Sequence, residues 1–449
     1  MRVAEHETPA RLAGWALAVL AVANTVVVVG LWLGAGGVTG VHGTTDALVS
    51  AGRITGLLGA YLALVMVLLL GRLPALDRLV GFDRLALWHR RLGPPCLGLL
   101  VAHTVLITAG YTVGDRISLG AEMARLVQRY PGVITATAGL ALLIAVVASS
   151  IVAARRRLRY ETWYFLHLYT YVAIALAFSH QLATGREFVG DPAARVYWAG
   201  LYVVTLGALV AFRLVLPAVR SARHRLHVER VIEVAPGVVS LEIGGVRLDR
   251  LRARAGQFFG WRFLTRDRWW EVHPFSLSAA PDGQRLRITV KDKGDFTGRV
   301  GSIRPGTRVV AEGPYGGFTA AARRRPRVAL IAGGIGITPI RALLEELSGG
   351  PGDIAVVYRA AHAGEVILRD ELDALALTRR ADLHYVLGER RDGAGGDPLS
   401  PAHLRRLVPD IAARDVYVCG PPAMTAATHA SLREAGVARR QIIVERFEL

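Results

Sequence analysis

The sequence predicts three successive structural units: an all-α bundle of six membrane helices, an antiparallel β-barrel, and a doubly wound α/β domain. Three observations carry this prediction. Apolar stretches long enough to cross a bilayer are concentrated in the first half of the chain. Short β-rich runs separated by turn residues follow them. The last part alternates apolar strands with helical segments, a pattern typical of a parallel sheet covered by helices.

Six apolar segments are predicted to span the membrane, at residues 12–33, 48–70, 86–109, 132–154, 161–183 and 196–217. The Ala-Val-Ala sequence at 21–23 resembles a signal-peptide cleavage site. The apolar run continues past this site, so we expect the first helix to be uncleaved.

The net charge of +18 is distributed as in a membrane protein rather than in a nucleic-acid-binding protein. Arginine follows the second span at positions 72, 78 and 84 and the fourth span at 155–157 and 159, whereas the segment 34–47 has no Lys or Arg. This positive-inside pattern predicts that both termini are cytoplasmic. The remaining arginine excess would meet anionic lipid or nucleotide phosphate.

After Pro217 the long apolar segments give way to short β-rich runs, which mark the later domains. Predicted barrel strands are Leu226–Val234, Gly256–Phe263, Arg285–Lys291 and Thr307–Glu312, and the linker 323–326 separates them from the α/β part. There the predicted strands are Val328–Ala332, Ile354–Tyr358, Leu383–Leu387 and Val416–Cys419, with helices near 338–347, 365–377 and 421–435. We therefore expect domains at 1–220, 221–322 and 323–449.

Four histidines lie within predicted spans: His89 and His103 in the third, His167 and His180 in the fifth. These two spans run in the same direction, so the histidines match in depth, and each pair along a helix is separated by roughly 20 Å. Ionisable residues inside a membrane span mark a functional site by default. Structural histidines or a proton relay are alternatives, but the matched depths favour two bis-histidine centres holding haem iron.

The helical spacing of the histidines is uneven. Fourteen residues at about 100° each return to within roughly 40° of one helix face, whereas thirteen do not. The fifth span must therefore bend or tighten, or its side chains must reach differently. Arg53, near the outer end of the second span, would pair with an outer-haem propionate or extend to the membrane interface, and both interpretations stay open.

Two segments of the predicted barrel suit a flavin. His273-Pro274-Phe275-Ser276-Leu277-Ser278 follows a strand; a hydroxyl near Ser276 would bond the ring edge or ribityl chain, and Phe275 would pack on the ring. Gly294-Asp295-Phe296-Thr297-Gly298 opens a short helix, whose unpaired N–H groups would donate hydrogen bonds to phosphate. Each segment alone is more typical of an ordinary strand or of a capped turn.

A glycine-rich turn, Gly333-Gly334-Ile335-Gly336-Ile337-Thr338-Pro339, lies between a predicted strand and helix, as a dinucleotide site requires. Pro339 replaces the third glycine of the usual fingerprint. The next strand ends in Arg359 rather than an acid, which favours the 2′-phosphate of NADPH over NADH; a plain surface arginine is the alternative.

The carboxyl end of a later strand carries Cys419-Gly420-Pro421-Pro422. Glycine and proline there would leave room for a nicotinamide, with Cys419 near the hydride path. The alternative is a buried cysteine followed by an ordinary turn. Phe447 would cover the flavin until nicotinamide displaces it, or would anchor the terminal strand.

Two cysteines, Cys96 and Cys419, lie too far apart to pair and are too few for an iron–sulfur cluster. A Cys-x-x-Cys-His attachment motif is also absent, which favours b-type haem.

Together these motifs resemble the membrane ferric reductase and NADPH oxidase superfamily, in a bacterial form and over nearly the whole chain. The histidine spacing, His-Pro-Phe-Ser, Gly-Asp-Phe-Thr, Glu-Gly-Pro-Tyr-Gly at 312–316, and Cys-Gly-Pro-Pro are similar to its motifs. The resemblance implies a six-helix haem domain and a ferredoxin–NADP reductase-like module that use NADPH, FAD and two b-type haems. No calcium-binding extension, long regulatory segment or glycosylated outer domain is expected.

The function implied is electron transfer from cytoplasmic NADPH to an acceptor outside the membrane, either a ferric chelate or oxygen. One alternative is an electron-carrier subunit that reduces a periplasmic or membrane protein partner. Another is a flavoreductase merely anchored by helices, with incidental histidines. The sequence leaves the acceptor and the oligomeric state open.

Overall fold

The computed structural model describes residues 7–151, 160–267, 269–294, 296–388 and 397–446. The chain divides into two compact units, Met1–Arg213 and Leu214–Leu449. The described part of the first unit is helical, whereas the second contains the β-strands and most of the buried core.

The first unit contains nine helices in its described residues. They are α1 (Glu7–Gly34), α2 (Thr44–Leu69), α3 (Pro74–Leu79), α4 (Phe82–Asp115), α5 (Leu119–Arg129), α6 (Val133–Ser150), α7 (Tyr160–Thr184), α8 (Arg186–Val189) and α9 (Pro192–Val210). Five segments of the described chain have the length and hydropathy of a membrane span: Trp15–Gly34, Thr44–Leu69, Arg84–Asp115, Val133–Ser150 and Pro192–His224. They coincide with five of the six predicted spans.

The predicted fifth span, 161–183, forms the helix α7 but is not among these five segments. Its mean hydropathy is lowered by polar side chains, including both histidines and Gln181. The helix is therefore where the sequence placed it, and its crossing of the membrane stays a prediction.

Small residues allow close packing between helices of the first unit. A Cβ atom at Gly52 of α2 would lie 2.8 Å from the side chain of Ile107 on α4, and one at Gly59 would lie 2.8 Å from Leu100. On α6, a Cβ at Gly139 would lie 2.7 Å from the carbonyl oxygen of Ala173 on α7. Glycine at these positions lets α2 approach α4, and α6 approach α7, as small residues commonly do in membrane bundles.

The second unit begins with α10 (Leu216–His224) and continues into six strands. They are β1 (His227–Ala235), β2 (Val238–Gly244), β3 (Phe258–Phe263), β4 (His273–Ser276), β5 (Arg285–Lys291) and β6 (Val309–Tyr315). Two antiparallel sheets form, in the orders β1-β2-β5 and β4-β3-β6. Isolated bridges at His227–Arg308 and Leu277–Ile288 join them. The antiparallel character was predicted from the sequence, whereas β2 was missed and closure into a barrel stays a prediction.

A parallel five-stranded sheet completes the second unit, in the order β11-β10-β7-β8-β9. Its strands are β7 (Val328–Gly333), β8 (Ile354–Ala360), β9 (Asp382–Leu387), β10 (Asp415–Gly420) and β11 (Ile442–Arg446). The helices are α11 (Ile337–Glu346), α12 (Arg369–Arg379), α13 (Pro401–Leu407) and α14 (Pro422–Glu434). The central strands β7 and β10 are buried along their whole length, as expected for a sheet covered on both faces.

Candidate functional site

The first histidine pair joins α4 to α7. The ring centres of His89 and His167 lie 5.9 Å apart. The Nδ1 atom of His89 is 3.1 Å from the carbonyl oxygen of Met66. On the other ring, Nδ1 of His167 is 3.5 Å from the Ser150 hydroxyl, which also accepts a 3.0 Å hydrogen bond from Trp163 Nε1. Both rings are therefore held through Nδ1.

The second pair has the same arrangement. The ring centres of His103 and His180 lie 6.3 Å apart. His103 Nδ1 is 2.8 Å from the carbonyl oxygen of Gly52, and His180 Nδ1 is 2.5 Å from that of Ala177. Gly56 makes room for this site, because a Cβ there would lie 2.5 Å from His103 Nδ1.

The histidine geometry fits metal coordination. A ring that donates Nδ1–H to a carbonyl oxygen presents the lone pair of Nε2, and such bonds orient histidines that bind metals. Two imidazoles on opposite sides of a metal, with bonds of about 2.0 Å, would have ring centres roughly 6 Å apart. Both pairs have this separation, so each pair fits as the two protein ligands of one metal ion.

The two histidines of α7 contact different neighbours. The helix α7 has α-helical hydrogen bonding from Tyr160 to Thr184. His180 turns its ring back to the Ala177 carbonyl of its own helix, whereas His167 is directed to Ser150 on α6. The two rings thus have different hydrogen-bond partners, and each lies beside a histidine of α4.

Arg53 has a partner that the sequence did not reveal. Its Nε donates a 2.8 Å hydrogen bond to Glu187, and its NH2 group donates to the carbonyl oxygen of Ala35 at 3.2 Å. The side chains of Arg53 and Glu187 are only 12% and 2% exposed, so this is a buried ion pair. Contact of Arg53 with a haem propionate stays a prediction.

The flavin motif places a free hydroxyl at the end of β4. Ser276 is buried, and its Oγ has no hydrogen-bond partner in the described part of the chain. Buried polar atoms are nearly always satisfied, so an orphaned hydroxyl fits a bound group that completes its hydrogen bonding. Pro274 lies one position from Phe275 in β4, where both pair with β3.

Three aromatic rings stack beside this strand. His273 and Phe296 have ring centres 3.6 Å apart and an interplanar angle of 14°, and Phe275 and Phe296 lie 6.3 Å apart at 20°. The His273 ring also contacts Glu271 at 3.1 Å. His273 and Phe275 are thus held on the same side of β4 as alternate residues of a strand.

Ser278 differs from Ser276. Its hydroxyl accepts hydrogen bonds from Thr289 at 2.8 Å and from Arg287 Nε at 3.2 Å. The protein itself therefore satisfies this hydroxyl, although the sequence treated the two serines alike. A direct contact of Ser278 with flavin stays a prediction.

The Gly294–Gly298 turn is capped by its own residues. Thr297 Oγ1 accepts from the Lys293 amide at 2.8 Å and donates to the Gly294 carbonyl oxygen at 3.1 Å. A short 3₁₀ helix, Thr297–Ser302, follows as predicted, and Asp295 lies outside the described residues. Phosphate binding at this turn stays a prediction.

The glycine-rich turn after β7 leaves no room for a side chain at Gly333 or Gly336. A Cβ at Gly333 would lie 2.0 Å from Met424 Sδ, one at Gly336 would lie 2.4 Å from the Cys419 carbonyl oxygen, and Gly334 has φ +53°. Thr338 Oγ1 donates to Ile335 O at 3.0 Å and is buried with Pro339 in the first turn of α11. A tight turn at a helix N-terminus fits a phosphate cradle.

Arg359 lies at the same edge of the sheet, because β8 pairs it with Gly333. Its guanidinium donates a 3.2 Å hydrogen bond to the carbonyl oxygen of Gly388. The structure therefore brings Arg359 beside the glycine turn. A residue that contacts the 2′-phosphate of a bound dinucleotide is expected at this position.

Cys419 lies on β10 next to Ala332 of β7 and is fully buried. Burial, with the nearby carboxylate of Glu445, raises the pKa of the Cys419 thiol well above its ordinary value. The thiol is therefore neutral at physiological pH and offers no thiolate nucleophile. Gly420 and Pro421 follow at the start of α14, and Phe447 lies outside the described residues.

Three protein-family models match the chain in succession. They are a ferric reductase like transmembrane component at residues 55–178, an FAD-binding domain at 231–319 and an oxidoreductase NAD-binding domain at 330–430. The chain is thus an oxidoreductase with FAD- and NAD(P)-binding domains and a multi-pass membrane domain.

Each of three curated relatives matches less than half of this chain. NADH-cytochrome b5 reductase 1 of Laccaria bicolor is 29% identical, over 36% of this chain and 55% of the relative. A flavohemoprotein of Pseudomonas putida is 32% identical, over 44% and 52%. Ferredoxin–NADP reductase B of Sorangium cellulosum is 30% identical, over 39% and 77%. The chain spans about half the length of the first two.

The order of these domains identifies the family. A ferric reductase-like membrane domain is followed on one chain by a reductase module similar to ferredoxin–NADP reductase. The protein belongs to the ferric reductase and NADPH oxidase superfamily, as its motifs predicted.

Proposed function

We propose that the protein carries electrons from cytoplasmic NADPH, through FAD and two b-type haems, to a ferric chelate or oxygen on the outer side of the membrane. The observation that supports this most directly is the pairing of four histidines on α4 and α7, with Nδ1 of each ring engaged by a protein oxygen. When bound, FAD supplies the conversion of a two-electron hydride into the single electrons that haem iron accepts.

The histidines would hold two iron centres at different depths. His89 and His167 would bind the one near the cytoplasmic side, and His103 and His180 the outer one. Two histidines together with the four nitrogens of a haem would leave the iron no place for the acceptor, so electrons would pass to it without its binding to the metal.

Residues of the second unit would orient the electron donor. The glycine turn Gly333–Gly336 would bind the pyrophosphate through its backbone N–H groups, and Arg359 would neutralise the 2′-phosphate of NADPH. The orphaned hydroxyl of Ser276 would hydrogen-bond the flavin and fix its orientation. The buried, neutral Cys419 would fill the space beside the nicotinamide without contributing a charge.

An absorption experiment tests this proposal. The purified full chain is reduced with NADPH without oxygen, and the difference spectrum is compared with that of the dithionite-reduced protein. We expect bleaching of flavin, reduced b-type haem bands and about two haems per chain. Protein that contains flavin but no haem would support the anchored flavoreductase instead. Haem that dithionite reduces but NADPH does not would contradict the electron path.

A further inference from the structure

A cluster of charged side chains connects the FAD-binding and NAD-binding parts of the second unit. Glu371 of α12 accepts two hydrogen bonds from Arg287 of β5, at 2.9 Å on Oε1 and 2.8 Å on Oε2. Its Oε2 also lies 2.9 Å from Nε of Arg341 on α11. One carboxylate therefore holds an arginine from each domain.

Arg287 continues this connection to the strand that carries the flavin motif. Its Nε donates to the Ser278 hydroxyl at 3.2 Å, and its NH2 group donates to the Ser278 carbonyl oxygen at 2.9 Å. Ser278 is two residues beyond Ser276, whose buried hydroxyl has no hydrogen-bond partner among the described residues. A displacement of Arg287 would therefore displace Ser278 and the strand that precedes it.

Arg341 continues the connection to the nucleotide turn. It lies on α11, the helix that begins directly after Gly334–Gly336, and it pairs with Glu345 one turn further on. Two carboxylates of the same helix also hold the FAD-binding domain: Glu345 accepts from the Ala280 amide at 2.7 Å and Glu346 from the Ala255 amide at 2.8 Å.

The charge on Glu371 is maintained by its partners. Burial acts to raise the pKa of this carboxyl, but hydrogen bonds and charge from Arg287, together with the charge of Arg341, outweigh burial and lower the pKa. The carboxylate is therefore ionised throughout the physiological pH range. A bidentate arginine–carboxylate pair also fixes direction, which a single charge contact does not.

We propose that Glu371 is a positioning residue for hydride transfer: by holding Arg287 and Arg341 it aligns the nucleotide turn with the flavin-binding strand. This inference rests on the proposed function. Hydride transfer requires the reacting atoms to approach within about 3–3.5 Å, and an error of about 1 Å can cost roughly a hundredfold in rate. A rigid contact between the domains, remote from the reacting atoms, meets this requirement.

The test compares Glu371→Gln with Asp370→Asn, which removes the same charge from an exposed neighbour on the same helix. Anaerobic stopped-flow mixing with NADPH measures the limiting rate of flavin bleaching, and titration with NADP⁺ measures nucleotide affinity. We expect Glu371→Gln to slow bleaching about tenfold or more, with nucleotide affinity within about twofold and FAD fully retained. Asp370→Asn should match the wild type.

Conservative and double variants separate positioning from simple stabilisation. Glu371→Asp keeps the charge and should recover part of the rate, while Arg287→Lys, which loses bidentate contact, should slow bleaching as Glu371→Gln does. Arg287→Gln combined with Glu371→Gln should be no slower than the worse single variant, because both remove one link.

Three results would overturn the inference. A wild-type bleaching rate in Glu371→Gln would do so, as would strictly additive losses in the double variant. A rate that falls only in proportion to lost FAD, with Glu371→Asp and Arg287→Lys at the wild-type rate, would show a structural role alone. If NADPH fails to reduce the flavin of the wild type, the proposed function fails as well, and the wild-type measurement alone shows it.

Discussion

Ser276 and Ser278 show how much a single hydroxyl depends on its surroundings. Both are buried on one short segment, yet only Ser278 is hydrogen-bonded by the protein. Removing an unsatisfied hydroxyl relieves a desolvation cost, whereas removing a satisfied one leaves its partners unpaired. The two serines should therefore respond to substitution in opposite ways.

For Ser276→Ala we expect FAD to bind about 2–12-fold more weakly, equivalent to one hydrogen bond of about 0.5–1.5 kcal/mol. The melting temperature of the FAD-free protein should be unchanged or higher. Ser278→Ala should lower that melting temperature, because Thr289 and Arg287 lose an acceptor. Fluorescence titration with FAD and thermal unfolding of the same samples decide the matter; equal destabilisation by both substitutions would show that Ser276 faces no ligand.

Arg359 should determine the choice between the two nicotinamide cofactors. A charged hydrogen bond to a 2′-phosphate contributes about 1.5–3 kcal/mol. We expect Arg359→Ala to raise the KM for NADPH by one to two orders of magnitude, since about 1.4 kcal/mol is tenfold, and to leave the KM for NADH nearly unchanged. Steady-state kinetics with an artificial flavin-site acceptor measures both. Equal losses with the two cofactors would mean that Arg359 supports only the Gly388 loop.

Residues with a local sequence pattern were predictable, and their distant partners were not. Ser276, Gly336 and the four histidines stand in recognisable motifs or spacings. Glu187 and Glu371 do not, because each acts through an arginine that is 134 and 84 positions away in the sequence, respectively. Ser150, which contacts His167, also sits in an ordinary apolar helix. Only the fold brings such pairs together.

At the scale of elements, the contact between α2 and α4 forms one wall of the site that contains His103 and His180. Gly56 permits this contact, since its missing Cβ leaves space for the His103 ring. The sequence shows glycines at 52, 56 and 59 but not the helix that they face. Spacing of small residues indicates a packed face and leaves its partner undetermined.

Gly56→Ala should displace His103 and weaken the outer haem site selectively. Overpacking of this kind costs about 1–3 kcal/mol. We expect roughly half of the haem to be lost, with the inner site intact and flavin reduction by NADPH unchanged. Gly98→Ala is the matched control, because its Cβ would meet nothing within 4 Å. Haem content and redox titration measure the effect, and two unaltered haems in Gly56→Ala would contradict the predicted role of His103.

Regular elements were predicted where composition and flanking turns agreed. The strands β7, β8 and β10 are apolar runs buried on both faces, and the sequence placed them within one or two residues. The strand β2 was missed because the polar residues Ser240 and Glu242 interrupt the apolar residues of Val238–Gly244. The helix α7 was predicted by position, although its polar residues lower its hydropathy below that of the other spans.

At the scale of the whole molecule, the domain order suggests the direction of electron flow. The reductase module lies at the carboxyl-terminal end, directly after the last apolar helix, and the arginine-rich segments 72–84 and 155–159 predict its side of the membrane. In the proposed path, His89 and His167 would hold the haem that receives the electron first, and His103 and His180 the haem that passes it to the acceptor. The proposed path therefore has an inner and an outer step that substitution can separate.

Removing one histidine from each depth should separate these steps. In His180→Ala the outer haem should be lost, while NADPH still reduces the flavin and the inner haem at nearly the wild-type rate and ferric chelate reduction stops. In His167→Ala the inner haem should be lost. NADPH should still reduce the flavin, but the outer haem should stay oxidised, because the electron path is interrupted before it. Rapid-scan spectra after anaerobic mixing with NADPH follow flavin and haem separately, and dithionite shows which haems are present. Rapid outer-haem reduction in His167→Ala would place the electron entry at the other histidine pair and reverse the proposed order.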